Sequence, residues 1–540
     1  MGVDIGGTFT DLALTLGDRL WTVKTLTTHA APEEAILEGM AAVCAKAGLA
    51  PAAIGRIIHG TTLATNALIE RRGARTALIT TEGFRDVIEM RTESRFEQYD
   101  LNLVVPPPLI ARNHRHTLAE RVGARGEVLR ALDPEEAARM AETIRAGGYE
   151  SAAIGLIHSY LAPAHERMMR DALARAAPEI SVSISSEVSP QMREYERFNT
   201  VAANAYVKPM MKAYLSRLEG RLREAGADCP VYLMHSGGGI ASLESAAEFP
   251  VRLVESGPAG GAIFAAEVAR RHGIARALSF DMGGTTAKIC LIKDHAPQTS
   301  RVFEVARSAR FKKGSGMPIS IPVIEMVEIG AGGGSLAQVD ALGQIRVGPE
   351  SAGSEPGPAC YGRGGARPAV TDADLALGRL DPEAFAGGAI RLAPERAAAA
   401  LEAAVGAPLG MSAEAAAFGV SEMVDETMAN AARVHAVENG EDPAGYVMIA
   451  FGGAAPLHAG RLCEKLGVDR LLVPPGAGVG SAIGFLRAPF SFEASRSVYM
   501  RLSRFDAAAA AALLAELGAE ATGFVRACDP DAEIDCAHRV

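Results

Sequence analysis

Apolar and β-branched residues in this chain gather in short runs, and between many of these runs lies a stretch whose apolar positions recur every three or four residues. Residues 2–5, 12–16 and 20–26 read as strands. Residues 54–60, 63–72 and 76–80 then read strand, helix, strand, and 152–157, 164–176 and 180–184 repeat that order. Such a βαβ rhythm predicts parallel strand pairs. The Pro-rich stretch 102–108, ahead of a strand-like segment holding Glu120 and Arg121, marks an inserted subdomain. From residue 189 the pattern changes to one long helix through Asn204, Lys208 and Tyr214 that would link two lobes. Strands return at 230–235, 252–255 and 277–281, the first two followed by glycine-rich turns at 236–239 and 256–261. A strand at 319–324 leads to a glycine run at 330–334. Another, at 446–450, leads to Gly452 and Gly453, which open a helix at 457–466, and a strand follows at 470–473. An alanine-rich helix at 506–526 and an acidic stretch at 529–533 close the pattern.

One short signature occurs twice in this framework: Asp4-Ile-Gly-Gly-Thr-Phe-Thr-Asp11 and Asp281-Met-Gly-Gly-Thr-Thr-Ala-Lys288. Each copy ends one apolar run, turns on paired glycines and resumes a second run, which predicts a hairpin with a phosphate-sized tip. Gly6, Gly7, Gly283 and Gly284 let backbone N–H groups approach an anion with no Cβ in the way, and Thr8, Thr10, Thr285 and Thr286 add hydroxyl donors. A carboxylate at the head of each loop would repel phosphate unless a divalent cation stood between them, so Asp4 and Asp281 are the candidate metal-holding residues. A single D-x-G-G-T also fits a plain hairpin turn. Its repetition far along the chain favours two related lobes facing one Mg-nucleotide. No Walker-type loop is present, and no G-x-G-x-x-G follows a strand.

Composition narrows the partners. The chain has 540 residues, 48% hydrophobic and 22% charged, with a net charge of −10, ordinary globular material for several domains. The one basic run, 310–313, is short, so no nucleic-acid partner is expected. The seven cysteines are scattered without a C-x-x-C, which predicts neither a zinc ribbon nor a disulfide framework and fits a reducing, cytoplasmic setting. No apolar run reads as long enough to span a membrane, and the chain opens directly on a strand without a leader, so no membrane association is expected. His114, His116, His158 and His165 lack partners at ligand spacing, and Cys360 has no basic neighbour, so neither a transition-metal site nor a reactive thiol is expected.

These motifs together resemble the hydantoinase A/oxoprolinase family. The resemblance rests on both D-x-G-G-T copies, His59-Gly60-Thr61-Thr62, Tyr195-Glu196-Arg197, Glu255-Ser256-Gly257-Pro258, Gly330-Ala331-Gly332-Gly333-Gly334-Ser335, Pro356-Gly357-Pro358-Ala359-Cys360-Tyr361-Gly362 and Phe451-Gly452-Gly453-Ala454, all in one order. It implies an α/β fold of duplicated actin–sugar kinase–Hsp70-like (RNase H-like) lobes around a nucleotide cleft. It divides the chain into an N-terminal domain at 1–187, a core domain at 188–495 and the start of a truncated C-terminal domain at 496–540. The implied chemistry is ATP-dependent opening of a cyclic amide such as a hydantoin, N-methylhydantoin or 5-oxoproline, with ATP and Mg2+ as cofactors and a hydantoinase B-type subunit as partner. Relatives implied by the same resemblance are acetone and acetophenone carboxylase subunits, and a nucleotide-binding regulatory protein is the non-enzymatic alternative. In the roles so implied, the two loops cradle the phosphates, Asp4 and Asp281 hold Mg2+ through water, Asp11 orients or deprotonates the acceptor, and Lys288 supplies charge from the second lobe. Gly332, Gly333, Gly452 and Gly453 line the adenosine side, and His59 meets the substrate from a strand end.

Overall fold

The computed structural model describes residues 1–28, 31–93, 95–308, 313–388 and 390–538. Most of the basic run, 310–312, and the last two residues of the chain lie outside these. Two mixed sheets carry the architecture. In the first, strands Arg19–Leu26, Phe9–Leu16 and Gly2–Ile5 form an antiparallel meander, and Ile57–Thr61 and then Val231–Met234 add in parallel beside Gly2–Ile5. In the second, Ala296–Pro297, Ala287–Lys293 and Arg276–Met282 form the meander, and Val447–Phe451 and Arg470–Leu472 add in parallel beside Arg276–Met282. Numbered within each lobe, both sheets run 3-2-1-4-5. The duplicated α/β fold is therefore present in the pairing itself, and each D-x-G-G-T is the turn between strands 1 and 2.

A third sheet is wholly parallel: Ser181–Ile184, Ser151–Gly155, Thr76–Thr81 and Arg115–Leu118, with helices Pro134–Ala146 and Ala164–Ala176 covering it. It lies between strands 4 and 5 of the first lobe and is the inserted subdomain. A buried polar knot pins it. Glu120 accepts from Thr81 Oγ1 and pairs with His165 Nδ1 at 2.7 Å, while Glu166 accepts from the Leu156 amide and from Ser185 Oγ. Those contacts satisfy His165 and Glu120 as buried polar groups must be satisfied. The long helix Glu194–Glu224 packs its buried face, including Phe198, Val201, Met211 and Leu215, against both the insertion and the first lobe.

The segment at 252–255 is not a strand. Residues Pro250–Leu253 form a 3-10 turn, and the glycine-rich stretch at 256–261 is the opening of a buried helix, Ser256–Arg271. Close packing explains the reversal. A Cβ on Gly260 would lie 2.2 Å from the Phe485 ring, and one on Gly484 would lie 1.9 Å from the Gly260 carbonyl oxygen. The short helix Gly480–Phe485 thus sits almost backbone to backbone on Ser256–Arg271, and small residues are needed for the contact rather than for a turn.

The alanine-rich helix, Ala507–Cys528, has 22 residues and a mean hydropathy of 1.4 over its most apolar stretch, of which 6% is buried. By length and composition it meets the requirement of a bilayer span, contrary to the sequence expectation. Alanine supplies that hydropathy without long apolar side chains, which is why the run does not stand out to the eye. Glu516 and Glu520 lie within the helix, Glu520 pairs with Arg496, and Phe524 stacks on Phe492.

Because backbone atoms oppose the missing side chain, Gly484→Val is expected to lower stability by about 3 kcal/mol, the upper end of overpacking costs. A thermal midpoint within one degree of the parent would show that this contact does not limit stability.

Candidate functional site

The two hairpins are built alike. Gly6 N–H donates to the Phe9 carbonyl at 2.9 Å, and Gly283 N–H to the Thr286 carbonyl at 3.0 Å. The register then sets Asp4 opposite Asp11 in the first and Asp281 opposite Lys288 in the second. Their tips meet across the space between the lobes. A Cβ on Gly284 would lie 2.9 Å from Thr8 Oγ1, and one on Gly7 would lie 3.6 Å from Thr285 Oγ1. The turn at 330–334 braces the second tip from behind, Gly333 and Gly334 donating to the Gly283 and Gly284 carbonyls at 3.0 and 2.6 Å.

Between the hairpins opens a cleft of ≈ 2140 Å³, larger than the roughly 300–1,000 Å³ of a single small-molecule pocket. Asp4, Gly6, Gly7, Thr8 and Asp11 line it from one side, and Asp281, Gly283, Gly284, Thr285, Thr286 and Lys288 from the other. Gly333, Gly452 and Gly453 complete the expected set. Gly452 has φ 94°, and a Cβ there would lie 2.4 Å from Asp281 Oδ1. Only glycine fits beside that carboxylate. The helix Ala455–Leu466 starts directly after, with its N-terminal end toward the cleft and Leu457 on the cleft wall.

Three expected residues stand elsewhere. His59 is in the middle of strand Ile57–Thr61, fully buried, with Nδ1 3.3 Å from the Val3 carbonyl and Nε2 2.9 Å from Tyr214 Oη. Burial pushes its pKa down to about 4, so it is a neutral strut between strand and helix. Thr10 is also fully buried and bonds Thr27 Oγ1 at 3.0 Å, and Thr27 in turn donates to the Gly6 carbonyl. Thr10 steadies the first tip from behind. Gly332 packs on the second tip, where a Cβ would lie 2.7 Å from the backbone of Gly284 and Thr285. One of these positions was predictable: side chains alternate along a strand, so Thr10 cannot face the cleft if Asp11 does.

Charge is concentrated at the cleft floor. Burial, with Asp11 and Asp281 nearby, pushes Asp4 up to about 7, and its Oδ1 has no hydrogen-bond partner. Burial likewise lifts Asp281 to about 6, against the pull of Lys288. Burial raises Asp11 too, although Lys24 holds it in an ion pair. Lys288 would be lowered by burial, but Glu328, Glu255 and Asp281 raise it, and its Nζ lies 3.2 Å from Glu328 Oε1. Among the described residues no group of three or more His, Cys, Asp or Glu forms a metal cage. An orphaned buried carboxylate oxygen with a second carboxylate across the gap suits a cation held by one or two carboxylates and otherwise by water and phosphate oxygens, as Mg2+ prefers.

Two features went unassigned in the sequence. Glu255, at the head of helix Ser256–Arg271, lines the cleft with its main chain in the left-handed region, φ 63°. Its motif was legible, but reading 252–255 as a strand hid the cleft-lining position of the residue. Behind the cleft wall at Asp374, His458 is fully buried with Nδ1 2.8 Å from Asp425 and Nε2 3.2 Å from Asp374. Arg379 bridges Asp374 and Ser421 at 2.9 and 2.8 Å. Burial would lower His458, but the two aspartates hold it up at about 9, so it is an imidazolium locking together the helices Val370–Ala376, Ala413–Glu438 and Ala455–Leu466.

Comparison with known proteins gives two family matches, the Hydantoinase/oxoprolinase N-terminal region over residues 1–177 and Hydantoinase/oxoprolinase over residues 197–494. The caprolactamase subunit alpha of Pseudomonas jessenii is 35% identical over 511 residues, covering 93% of this chain and 72% of that protein. The crystal structure of the ATP-dependent caprolactamase from Pseudomonas jessenii superposes with a TM-score of 0.81 at 33% identity, over 97% of this chain and 76% of that one. The nucleotide-free structure of an acetone carboxylase superposes with a TM-score of 0.82 at 28% identity, over 97% of this chain and 75% of that one.

An acid whose pKa is lifted by folding binds its proton more tightly when folded. The stability it contributes is therefore present below its ordinary value of 3.8 and is lost as pH rises through about 7. Asp4→Asn is accordingly expected to raise the melting temperature of the nucleotide-free protein more at pH 8 than at pH 5. Differential scanning calorimetry at the two pH values checks this, and an equal change at both would remove Asp4 as a destabilising buried charge.

Proposed function

The chain belongs to the hydantoinase/oxoprolinase family, and we propose that it uses ATP to phosphorylate the oxygen of a cyclic amide and so opens the ring. The observation that carries this reading is the pair of D-x-G-G-T tips facing each other across one cleft, with carboxylates on the first lobe and Lys288 on the second. Phosphoryl transfer through a loose transition state needs positioning and charge more than covalent help, and this site is made of little else. The amides of Gly6, Gly7, Gly283 and Gly284 and the hydroxyls of Thr8, Thr285 and Thr286 donate to phosphate oxygens. Lys288 draws negative charge toward the second lobe, and Asp11, fixed by Lys24, orients the acceptor. Asp4 and Asp281 would be the residues to hold Mg2+, which would supply positive charge to neutralise the phosphates. Gly453 and Leu457 face the nucleoside.

Amide opening is preferred over ketone carboxylation because the caprolactamase relative is the more similar of the two, at 33% against 28% identity in the solved structures. That relative is described as a subunit, which supports a B-type partner for this chain, working in the cytoplasm. Substrate identity is read from turnover. ADP release is measured with ε-caprolactam, N-methylhydantoin, 5-oxoproline, or acetone with bicarbonate, using this chain together with its B-type partner. Stimulation by an amide supports the proposal, and stimulation only by acetone with bicarbonate moves the chain to the carboxylases. Asp281→Asn is expected to cut the stimulated rate by roughly two orders of magnitude, and an unchanged rate would remove the role given to Asp281.

A further inference from the structure

We propose that Glu255 is the proton carrier for the water that opens the phosphorylated amide, an acid–base role separate from phosphoryl transfer. The inference rests on the amide-opening reading above.

Glu255 is held where a glutamate does not rest by choice. Its main chain is left-handed, φ 63° and ψ 26°, at the N-cap of helix Ser256–Arg271. Such a conformation is unfavourable in a residue other than glycine and persists only where the surroundings impose it. Here they do: its N–H donates to Thr65 Oγ1 at 3.1 Å, and Ser256 Oγ both donates to the Thr61 carbonyl and accepts from the Thr61 amide. The end of strand Ile57–Thr61 and the helix Leu63–Ile69 that follows it clamp the helix start, and Glu255 lines the cleft as a result.

The other carboxylates of the floor are engaged or covered. Asp11 is paired with Lys24, Glu328 is paired with Lys288, and Asp281 lies beneath Gly452. Asp4 abuts Gly257, where a Cβ would come within 2.9 Å of its Oδ1. Glu255 is 92% buried by its 8% exposure, yet its carboxylate makes no hydrogen bond or ion pair with any described residue. It faces Lys288 and Glu328 electrostatically, at the end of the cleft bounded by Thr62, Thr65 and Asn66. Burial and then Glu328 lift it to about 7, against Lys288, so both of its protonation states are accessible near neutrality.

Phosphoryl transfer esterifies the amide oxygen, and the ring N–H proton leaves to solvent as the C=N bond forms. The water oxygen bonds to that carbon while the C=N π pair moves onto the ring nitrogen, and the water proton goes to the Glu255 carboxylate and from there to nitrogen, which leaves a carbon bearing hydroxyl, phosphate and N–H. The hydroxyl proton then passes through Glu255 to nitrogen as the oxygen pair forms C=O and the carbon–nitrogen bond breaks, giving an amine and an acyl phosphate. A second water displaces phosphate from the acyl carbon, giving a carboxylate, inorganic phosphate and a proton, and Glu255 is restored.

The test compares the parent chain with Glu255→Gln and Glu255→Asp, each with its B-type partner. Binding of a fluorescent ATP analogue with Mg2+ is measured alongside rapid-quench ADP formation with ε-caprolactam and 5-oxoproline. The expected result for Glu255→Gln is nucleotide affinity within about twofold of the parent and a burst of about one ADP per site, followed by a steady rate at least about 100-fold lower. Glu255→Asp should recover part of that rate. A steady rate within about threefold of the parent overturns the proposal, as does loss of nucleotide binding, which would mark Glu255 as part of the nucleotide site. Failure of the amide reading looks different: the parent itself then releases no ADP with either amide. A second measurement needs no substrate. Water-soluble carbodiimide with a labelled amine at pH 7 should modify Glu255, with protection by MgATP, and absence of label on its peptide overturns the proposal.

Discussion

Everything at the cleft depends on a contact with no side chain in it. Helix Gly480–Phe485 lies against helix Ser256–Arg271 at the distance that Gly260 and Gly484 permit, and it also touches the first strand, where a Cβ on Gly2 would lie 2.1 Å from the Ala482 carbonyl oxygen. Phe485 fills the angle between them, against Gly60 and Gly260. Strand, helix and helix belong to different stretches of a long chain, and their closeness fixes where the first hairpin stands relative to the second. Packed interiors transmit such spacing because they have almost no slack. With side chains in that junction, the two tips would be splayed, and Thr8 could not reach Gly284.

The second governing term is electrostatic. The first lobe brings Asp4 and Asp11, the second Asp281 and Lys288, and burial raises all three acids. Bringing like charges into a closed space is unfavourable unless something in that space answers them. A fold that maintains this arrangement holds binding energy in reserve for a cation and a polyanion together, and neither alone satisfies the set. The imidazolium of His458 is the contrasting case. Its charge is answered within the protein by Asp374 and Asp425, and it serves to hold three helices rather than to meet a ligand.

Much of this was legible in the sequence because it is local. Paired glycines between apolar runs specify a tight hairpin whatever surrounds them, and βαβ spacing specifies parallel pairing, so the two tips, the carboxylates at their heads and the duplicated lobes could be read directly. What could not be read is set by tertiary contact. The run Arg252-Leu253-Val254 has strand-like composition, yet Glu255 turns left-handed because Thr61 and Thr65 hold it there. The glycines after it look like a loop and are a helix, since their smallness answers Phe485 across a distance of over two hundred residues in sequence. His59 has the position of a catalytic residue in the text, but its neighbour in space is Tyr214, on a helix whose approach no local pattern announces.

The hairpins also differ at one register position, where the first has Asp11 facing Asp4 and the second has Lys288 facing Asp281. Gene duplication yields two halves related by symmetry, and a symmetric cleft would have no preferred orientation for an elongated ligand. A single acid-to-base difference at matched sites removes that degeneracy. The cleft acquires a negative and a positive pole, and a molecule with a charged tail and a neutral head can lie in it only one way round. Polarity, and with it a defined donor end and acceptor end, follows from one unmatched pair.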